Sequence, residues 1–502
     1  MNSKICILFL STYFITCSEI FSQREDYHWM LGYCEKTWVD TNFGRAEFIF
    51  NDSGSKITKT YSVKHKLDFT NASICDSLGK MLFYTNGLEV YNRDYEIMPN
   101  GDDLNPGEFA NGHENDGYPL ECGAMILPYP SHQNKFFLIH HTIDRIPYLW
   151  NSLNLLTTLV DMNLDQGMGD VIYKNHSIYQ DSLMLGNLTA CRHANGRDWW
   201  IPIFYYRGMK CFMFLLDPSG LRLHHIQEIP FEFSISGSGQ AQFSPNGRNY
   251  VFFNQNSQGY KELFISFFDR CTGEFYDPSY YTMPKFELVG VAFSPNSKYL
   301  YLSTGYDLYQ LNMNGANAFE NKLKVDSIDG FQSFPGFPSY FYLMQHAPDG
   351  KIYICNGRSP TYLSTIENPD NKGKECNVKQ HNISIVANST MPNFPFFRLG
   401  ALKGSLCDSI RVISKTSDDL ETTEDFSIIP NPNHGSFTIQ LDGNNNTKAR
   451  LMIYNFNGQL MYETSLRNDS QSVNVNLSSG IYLVKVIGEK SKTSVQKLII
   501  RH

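Results

Sequence analysis

The sequence predicts an all-β protein: a β-propeller of about seven blades, followed by a small antiparallel β-sandwich. Three observations lead to this prediction. Aromatic residues make up 14% of the 502 residues, and such side chains favour strands. A turn motif returns roughly every 50 residues, which is the length of one four-stranded blade. A polar stretch near the C-terminus then separates these repeats from a final segment of alternating apolar and polar residues.

The chain begins with a predicted export signal, residues 1–22, cleaved after Ser22. Lys4 precedes an apolar run from Ile5 to Ile15, and polar residues follow it. A membrane anchor is the alternative, but a run of about 11 residues is shorter than the roughly 20 that a bilayer core requires. No later apolar run is long enough to span a membrane, so we expect no transmembrane segment in the mature chain.

Charge and cysteine content narrow the partners and the compartment. The net charge is −8 and Lys and Arg are dispersed, so no basic patch is available for nucleic acid. In an oxidising compartment some cysteines should pair, although an odd number leaves at least one unpaired. The pattern contains no Cys-x-x-Cys, which disfavours zinc ribbons and redox motifs. The nine cysteines after the signal are Cys34, Cys75, Cys122, Cys191, Cys211, Cys271, Cys355, Cys376 and Cys407.

Residues 23–412 carry the repeated turn. Phe-Ser-Pro-Asn-Gly at 243–247 returns as Phe-Ser-Pro-Asn-Ser at 293–297 and as Ala-Pro-Asp-Gly at 347–350. Proline presets the first corner of a type I turn, Asn or Asp takes the second, and Gly accepts the left-handed geometry. Weaker copies lie upstream. The six turn centres are Gly79, Asn134, Gly196, Gly247, Ser297 and Gly350.

A ring needs closure, because an open one would expose strand edges. We expect a seventh blade built from both ends of the region, with Glu47–Phe50 pairing near Ile383–Val386. Six or eight blades remain open. Two stacked β-sandwiches are the other alternative, but they do not account for a turn repeat of about 50 residues.

Four segments of this region are Phe83–Gly87, Met98–Gly101, Ala194–Trp200 and Ala347–Tyr353. Together they resemble exported propeller proteins of Bacteroidota and, more broadly, WD-repeat-like β-propellers. The resemblance covers roughly residues 27–410. It implies the fold and the compartment, and the family carries no agreed activity.

The C-terminal part divides into a linker and a second domain. Residues 413–425 are polar without apolar periodicity, which is typical of a flexible linker. Residues 426–502 resume alternation, as in Phe437–Leu441 and Ile481–Val486, and predict a compact antiparallel sandwich. A sugar-binding sandwich is an alternative for this tail, although no aromatic cluster supports it.

The tail also carries a set of motif residues: Asn431, Pro432, Gly435, Gly458, Gly480, Tyr482 and Lys497. The set resembles the type A sorting domain of the type IX secretion system. The resemblance implies that the type IX machinery is a partner and that the chain crosses the periplasm and the outer membrane. It further implies removal of the tail, with the protein released or held at the outer cell surface.

Two pairs of residues are candidates for binding. His140 and His141 follow an apolar strand and must point to its opposite faces, so one of them could face the central channel. Trp199 and Trp200 could form a shelf on which carbohydrate rings stack. For both pairs the alternative is packing within a blade, which is commoner for strand aromatics and histidines.

A polar loop is the candidate metal site, with Asp102, Asp103, Glu114 and Asp116 as oxygen ligands. Carboxylates mixed with Asn suit calcium, which takes six to eight oxygens. The spacing matches no known calcium loop, and a solvated loop between blades is the alternative. No other cofactor is evident in the sequence.

The chain contains no nucleophile elbow, phosphate loop or dinucleotide fingerprint, and no catalytic residue is assigned. The predicted function is therefore an exported propeller that binds an extracellular protein or glycan. A propeller hydrolase or lyase acting on an extracellular polymer is the alternative, with histidines and acids in the channel as its catalytic groups. A structural component of a surface assembly is the third hypothesis.

Overall fold

The computed structural model divides the chain into two compact units, residues 1–410 and 411–502. The signal at 1–22, the linker at 413–425 and Gly458 lie outside the described residues, so the predictions for them stay predictions. The described residues are 23–34, 42–146, 149–233, 235–256, 258–284, 288–315, 317–333, 338–357, 360–405, 407–408, 426–441, 449–455, 460–466, 468–487 and 493–501.

Within the described residues, strands dominate the first unit, together with one five-residue helix, α1 (Glu108–Gly112), and 3-10 helices at Asp165–Gly167 and Gly373–Cys376. The first thirteen strands are β1 (His28–Leu31), β2 (Tyr33–Cys34), β3 (Gly44–Asn51), β4 (Gly54–Tyr61), β5 (His65–Lys66), β6 (Ala72–Cys75), β7 (Met81–Thr85), β8 (Val90–Asn92), β9 (Ala124–Pro128), β10 (Lys135–His141), β11 (Asp144–Ile146), β12 (Leu149–Asp161) and β13 (Asp170–Leu183). The next sixteen are β14 (Cys191–Arg192), β15 (Trp199–Phe204), β16 (Gly208–Asp217), β17 (Gly220–Glu232), β18 (Ile235–Phe243), β19 (Asn249–Asn256), β20 (Lys261–Phe268), β21 (Phe275–Met283), β22 (Gly290–Phe293), β23 (Tyr299–Ser303), β24 (Asp307–Asn312), β25 (Leu323–Ser327), β26 (Met344–His346), β27 (Ile352–Cys355), β28 (Tyr362–Ile366) and β29 (Val378–Ser384).

Among the described residues, all of these strands except β2 and β5 form seven antiparallel sheets that follow one another along the chain, which confirms the predicted β-propeller. The strands β2 and β5 pair with each other in a separate two-stranded sheet. Blade 1 is β1-β3-β4 and blade 2 is β6-β7-β8. Blade 3 is β9-β10-β12-β13, with β11 folding back on β12. Blades 4 to 7 each have four strands in chain order: β14 to β17, β18 to β21, β22 to β25 and β26 to β29.

Burial separates the inner strands from the outer ones. The first strands β6 and β22 are buried along their whole length, whereas the last strands β4 and β29 are largely exposed or half-buried. First strands of neighbouring blades also contact one another, as β18 does β22 and β22 does β26. The first strand of a blade therefore lies at the centre of the ring and the last at its rim.

The repeated turns have the backbone geometry that the sequence predicts. All six turn centres adopt positive φ, from 60° at Asn134 to 82° at Gly79 and Gly350. The turns in blades 5 and 6 are further closed by serine, because Ser244 Oγ donates to Asn246 Oδ1 at 2.7 Å and Ser294 Oγ to Asn296 Oδ1 at 2.8 Å. Each turn joins the first strand of its blade to the second.

The expected closure of the ring is wrong in its residues. β3, which holds Glu47–Phe50, pairs with β1 on one edge and β4 on the other, and β29 pairs with β28. Closure comes instead from the segment that follows blade 7, residues 385–402, here called the central segment. It runs antiparallel beside β1 and contacts blade 1 through the side chains of Asn388, Phe394 and Arg398.

Three contacts fix the central segment against blade 1. Asn388 Oδ1 accepts from Gly32 N at 3.0 Å, and the rings of Phe394 and Trp29 have centroids 6.2 Å apart. Arg398 then forms a bidentate pair with Asp26, at 2.5 and 2.8 Å. The order of these contacts is reversed along the two segments, so the segments run antiparallel.

The same segment contacts the other side of the ring. Asn393 Nδ2 donates to Ala124 O in blade 3 and to Leu188 O just before blade 4, both at 2.9 Å. The ring of Phe397 lies 5.8 Å from that of Trp199 in blade 4, and Phe396 stacks on His346 of blade 7 at 6.0 Å. Only a chain in the centre can reach so many blades, so the central segment occupies the centre of the ring. A small cavity of about 30 Å³ remains beside it, lined by Asp26, His346 and Arg398 among others.

The second unit is a sandwich of two antiparallel sheets, as predicted. One sheet is β30-β31-β34 and the other is β33-β32-β35-β36. Apolar residues of both sheets, such as Ile439, Leu451 and Val484, form one buried core between them. The strands are β30 (Phe426–Ile429), β31 (Ser436–Leu441), β32 (Ala449–Tyr454), β33 (Leu460–Leu466), β34 (Ser470–Asn474), β35 (Gly480–Ile487) and β36 (Thr493–Ile500).

Candidate functional site

The cavity at the centre of the ring is small, whereas a much larger open groove lies beside blade 2, here called the blade-2 groove. Two adjoining cavities of about 280 and 410 Å³ form it, and they share Lys64, Lys66 and Glu89. The first cavity is further lined by tyrosines, and the second by acidic and amide side chains from the loop that contains α1. The size and concavity suit a small ligand or a short stretch of polymer.

Glu89 is the polar centre of this groove. Its carboxylate accepts a hydrogen bond from the Tyr91 hydroxyl and lies 3.2 Å from Lys66 Nζ. Burial, reinforced by the hydrogen bond to Glu89, raises the pKa of Tyr91, so its hydroxyl stays protonated and donates. The tyrosine ring stacks on Tyr84 with centroids 5.0 Å apart, which fixes its plane. Glu89 and Tyr91 are two residues apart and therefore point to the same side.

A charged cluster from blade 1 supports one end of the groove. The Glu47 carboxylate is hydrogen-bonded to His28 and Tyr95, at 3.1 and 3.0 Å, and accepts from Arg45 Nε at 3.1 Å. The His28 hydrogen bond in particular lowers the pKa of Glu47 to about 2. Arg45 also lies over the Tyr95 ring, 3.4 Å from its centroid. Tyr95 is thus held in place while 39% of it stays exposed.

His65 closes the inner side of the same groove. It is only 5% exposed, and its Nε2 has no hydrogen-bond partner among the described residues. Burial lowers its pKa to about 3, so the ring is neutral at physiological pH. This nitrogen is itself buried, and a buried polar group without a partner lowers the stability of the fold.

The predicted histidines lie inside blade 3 and not at the channel. His140 is buried, with Nδ1 2.7 Å from Asn105 Oδ1 and Nε2 3.0 Å from Thr158 Oγ1. His141 is also buried, and neither of its ring nitrogens has a partner among the described residues. Burial lowers the pKa of both histidines to about 3. Both lie on β10, the second strand of the blade, whereas the first strand β9 is the one nearest the centre of the ring.

The predicted tryptophan shelf is not exposed. Trp199 and Trp200 are 0% and 1% exposed. Trp200 Nε1 donates to Arg270 O at 2.8 Å, and the Arg192 guanidinium lies 4.1 Å from the Trp199 ring centroid. The structure therefore corrects this expectation: both indoles pack inside the ring, where a sugar face cannot reach them.

The predicted metal ligands are divided between different partners. Asp102 pairs with Lys174 at 2.7 Å, and this hydrogen bond lowers its pKa. Asp116 lies 3.5 Å from His113 Nδ1, whereas Asp103 and Glu114 line the blade-2 groove together with Asp102. In the described part of the chain, no three His, Cys, Asp or Glu side chains are grouped as metal ligands would be. Calcium binding stays a prediction.

Most of the groove residues escaped the sequence analysis. Glu89 and Tyr91 could have been grouped from the sequence, because residues two positions apart on extended chain point to the same side. The contact between Lys66 and Glu89 could not be predicted from the sequence. Lys66 lies on β5, which pairs with β2, and only the folded ring brings it to Glu89.

In the second unit, the tail motif fastens the first strand to the last. Asn431 Nδ2 donates to Lys497 O at 2.6 Å, and its Oδ1 accepts from Ile499 N at 2.8 Å. Gly435 has φ 93°, and a Cβ there would meet Val475 O at 2.5 Å, so glycine is required. The Tyr482 hydroxyl donates to Ser478 O at 2.9 Å, which ties the turn before β35 to that strand.

This geometry agrees with the comparison with known families. Residues 427–501 match the family described as secretion system C-terminal sorting domain. The tail is a type IX sorting domain. A chain with this sorting domain is exported to the cell surface or the extracellular space. Among the described residues, no helix has the length and apolar character needed to cross a membrane.

The ring in front of the sorting domain resembles solved structures only distantly. A candidate 6-phosphogluconolactonase of Bacteroides uniformis is 12% identical, with a TM-score of 0.42 over 73% of this chain and 98% of that one. The periplasmic gluconolactonase of Pseudomonas aeruginosa is 10% identical, with a TM-score of 0.40 over 73% and 98%. Structural similarity at this level does not support any activity for this protein. No curated protein matches the chain.

Deletion of residues 427–502 tests the role of the sorting domain. We expect the truncated protein to remain in the periplasm, because the type IX machinery acts on this domain. Immunoblots of culture medium, intact-cell surface and periplasm measure the distribution. A deletion of residues 442–448, which lie between two strands of the domain, provides a milder comparison. Unchanged surface delivery of the chain that ends at 426 would contradict the assignment.

Proposed function

We propose that the protein is a non-catalytic binding protein of the cell surface or medium, and that it binds a glycan in the blade-2 groove. The observation that carries the proposal is the combination, in one open groove, of fixed tyrosine rings with hydrogen-bonding groups of both signs. Tyr91 and Tyr95 supply the rings, and Lys66 and Glu89 supply the charged groups. Sugars present apolar ring faces bordered by hydroxyls, so they need this combination.

A glycan fits the groove better than a protein partner does. Protein interfaces have an apolar core from which charged residues are depleted. The blade-2 groove has charged and amide groups along its whole length, from Lys64 and Glu89 to Asn111 and Asn115. Hydroxyl groups of a glycan can pair with such side chains without a large desolvation cost.

The charge of the groove narrows the kind of glycan. Carboxylates from Glu89, Asp102, Asp103 and Glu114 outnumber the lysines Lys64 and Lys66. A sulfated or uronic polymer would therefore meet net repulsion. Neutral or amine-bearing oligosaccharides suit the groove, and their binding should depend little on salt.

The alternative function, a hydrolase or lyase acting on an extracellular polymer, was expected to use acids and histidines in the channel. The central segment occupies most of that space with Phe394, Phe396 and Phe397. The cavity that remains beside Asp26 and His346 is about 30 Å³, which is the volume of about one water molecule and too small for a polymer. The ion pair at the channel mouth, Arg398 with Asp26, is internal to the fold and joins the central segment to blade 1. A general acid or base needs access to substrate, so this arrangement favours binding over catalysis.

Screening the purified protein against an array of neutral, amino and acidic oligosaccharides tests the proposal. We expect neutral or amino sugars to bind and acidic ones not to. Tyr95→Ala removes a partly exposed ring, and Glu89→Gln removes the central charge with little change of shape. Each should weaken binding of the best array ligand about tenfold, as loss of about 1.4 kcal/mol would.

The matched control is Tyr276→Ala. Tyr276 is a half-exposed tyrosine on blade 5 that stacks on Phe267, outside the groove. Its loss should leave the dissociation constant unchanged. Equal weakening by Tyr276→Ala and Tyr95→Ala, or strong binding of acidic polymers by the parent protein, would argue against the proposal.

A further inference from the structure

Two of the nine described cysteines differ from the others in their surroundings. Cys271 and Cys407 are partly exposed, and their thiols are in hydrogen-bond contact with each other. The remaining seven are buried: Cys34, Cys75, Cys122, Cys191, Cys211, Cys355 and Cys376. Among the described cysteines, only the first two combine proximity to a second thiol with access to a reagent in solution.

Both cysteines stand on backbone that the fold holds in place. Cys271 lies in the turn between β20 and β21, where its N–H donates to Asp269 Oδ1 at 2.7 Å. The neighbouring Arg270 donates to Gly400 O at 2.5 Å, which brings the end of the central segment over this turn. Leu402 N also donates to Ala194 O at 2.8 Å. The approach of Cys407 to Cys271 follows from these contacts.

We propose that Cys271 and Cys407 form a disulfide bond in the exported protein. The compartment supports the reaction, because a chain with the type IX sorting domain ends at the cell surface or in the extracellular space, outside the reducing cytoplasm. The oxidant is a disulfide of a periplasmic thiol oxidoreductase. One thiolate attacks this disulfide to form a mixed disulfide, and the second thiolate displaces the enzyme's sulfur. Two thiols lose two protons and two electrons, and the oxidant becomes a dithiol.

Burial disfavours the thiolate form of Cys407. Burial raises its pKa to about 12, and the hydrogen bond with Cys271 adds to the rise. Its thiolate is therefore scarce at neutral pH, which slows attack by Cys407 itself on an oxidant. When an oxidoreductase forms a mixed disulfide with Cys271, Cys407 loses its thiol hydrogen-bond partner. The contribution of that hydrogen bond to the raised pKa of Cys407 is then lost.

The bond would fasten the central segment into the ring. Cys407 follows the central segment directly, and Cys271 belongs to blade 5, so the link spans blades 5 to 7 and the channel. The closed loop covers 407 − 271 = 136 positions of the chain. A crosslink over a long loop restricts the unfolded chain strongly, which makes the ring harder to open.

Peptide mapping of the protein purified from culture medium or cell surface tests the proposal. The sample is alkylated without reduction, digested and analysed by mass spectrometry. We expect one linked pair of peptides containing Cys271 and Cys407, about 2 Da lighter than the two free peptides together because two hydrogens are lost. The same map should show the seven buried cysteines as free thiols once the protein is denatured. Alkylation of both Cys271 and Cys407 would overturn the proposal.

A stability measurement adds an independent readout. Dithiothreitol should lower the thermal midpoint of the parent protein by several degrees and leave that of Cys407→Ser unchanged. Cys376→Ser is the control, since Cys376 is buried beside Tyr301 and away from Cys271. Its midpoint should still fall on reduction. If reduction shifts the parent and Cys407→Ser equally, the stabilising link is not at Cys407. The peptide map remains decisive if the variants fold poorly.

Discussion

A chain that ends after Ser384 should fail to form a stable ring, whereas a chain that ends after Asp408 should fold. The first lacks the central segment and the second retains it. Met391, Phe394 and Phe397 are at most 5% exposed. Burying each such side chain stabilises a protein by about 1.5–3 kcal/mol. Their joint loss approaches the roughly 5–15 kcal/mol that holds a domain folded.

Hydrogen bonds add to this loss. Without Asn393, the backbone carbonyls of Ala124 and Leu188 lose a buried hydrogen-bond donor. Each buried carbonyl left without a partner lowers the free energy of unfolding by about 1–3 kcal/mol. Thermal denaturation followed by circular dichroism, together with limited proteolysis, measures the effect. We expect one cooperative transition for the chain ending at Asp408 and none for the chain ending at Ser384.

A pair of point variants provides a graded version of this experiment. Phe397→Ala removes a fully buried ring and should cost about 3–5 kcal/mol. Phe396→Ala removes a ring that is only partly buried and stacks on His346, so its cost should be clearly smaller. Equal stability of the two variants, or a normal transition in the chain ending at Ser384, would show that the central segment is not part of the core.

Acid should destabilise the ring steeply below pH 6.5. Burial lowers the pKa of four histidines, His65, His140, His141 and His346, to about 3. The unfolded chain binds protons at these groups below pH 6.5, while the folded ring does not bind them until about pH 3. The unfolded state therefore holds more protons in this window, and stability falls as the pH falls.

The expected size of the acid effect is large. Between pH 8 and pH 5, each of these histidines lowers the free energy of unfolding by up to about 2 kcal/mol. The four together lower it by up to about 8 kcal/mol. Below pH 4.5 the loss grows, because protonation of Glu47, whose pKa is lowered to about 2, removes a further contribution. Urea unfolding at pH 8, 6.5, 5.5 and 5 gives the free energy of unfolding directly.

A single variant tests the cause of the acid effect. His141→Leu removes one buried titrating group whose nitrogens have no partner among the described residues. Its stability should depend on pH less steeply than that of the parent, by about 1.4 kcal/mol per pH unit between pH 3.5 and 6. His434, a histidine of the sorting domain, provides the control as His434→Leu, because it lies outside the ring. An unchanged slope in His141→Leu would refute the explanation.

The sequence alone determined the features that short stretches of chain encode. A five-residue turn specifies its own geometry, so all six predicted centres have positive φ. Alternation over five or six residues likewise predicted the strands of the tail, and the motif of Asn431 and Gly435 predicted the sorting domain that the family match confirms. These signals are local, so the repeated turn predicted a propeller but left six, seven and eight blades open, and the sheets of the structure decided the number.

Only the tertiary structure decided how the ring closes and where its open groove lies. Gly32 and Asn388 meet although they are 356 positions apart, and no local pattern predicts which residues fill a channel. The same holds for Trp199 and Trp200, whose burial depends on Phe397 and Arg270 from distant parts of the chain. Burial is a property of the assembled packing, because a side chain loses water only when other segments cover it.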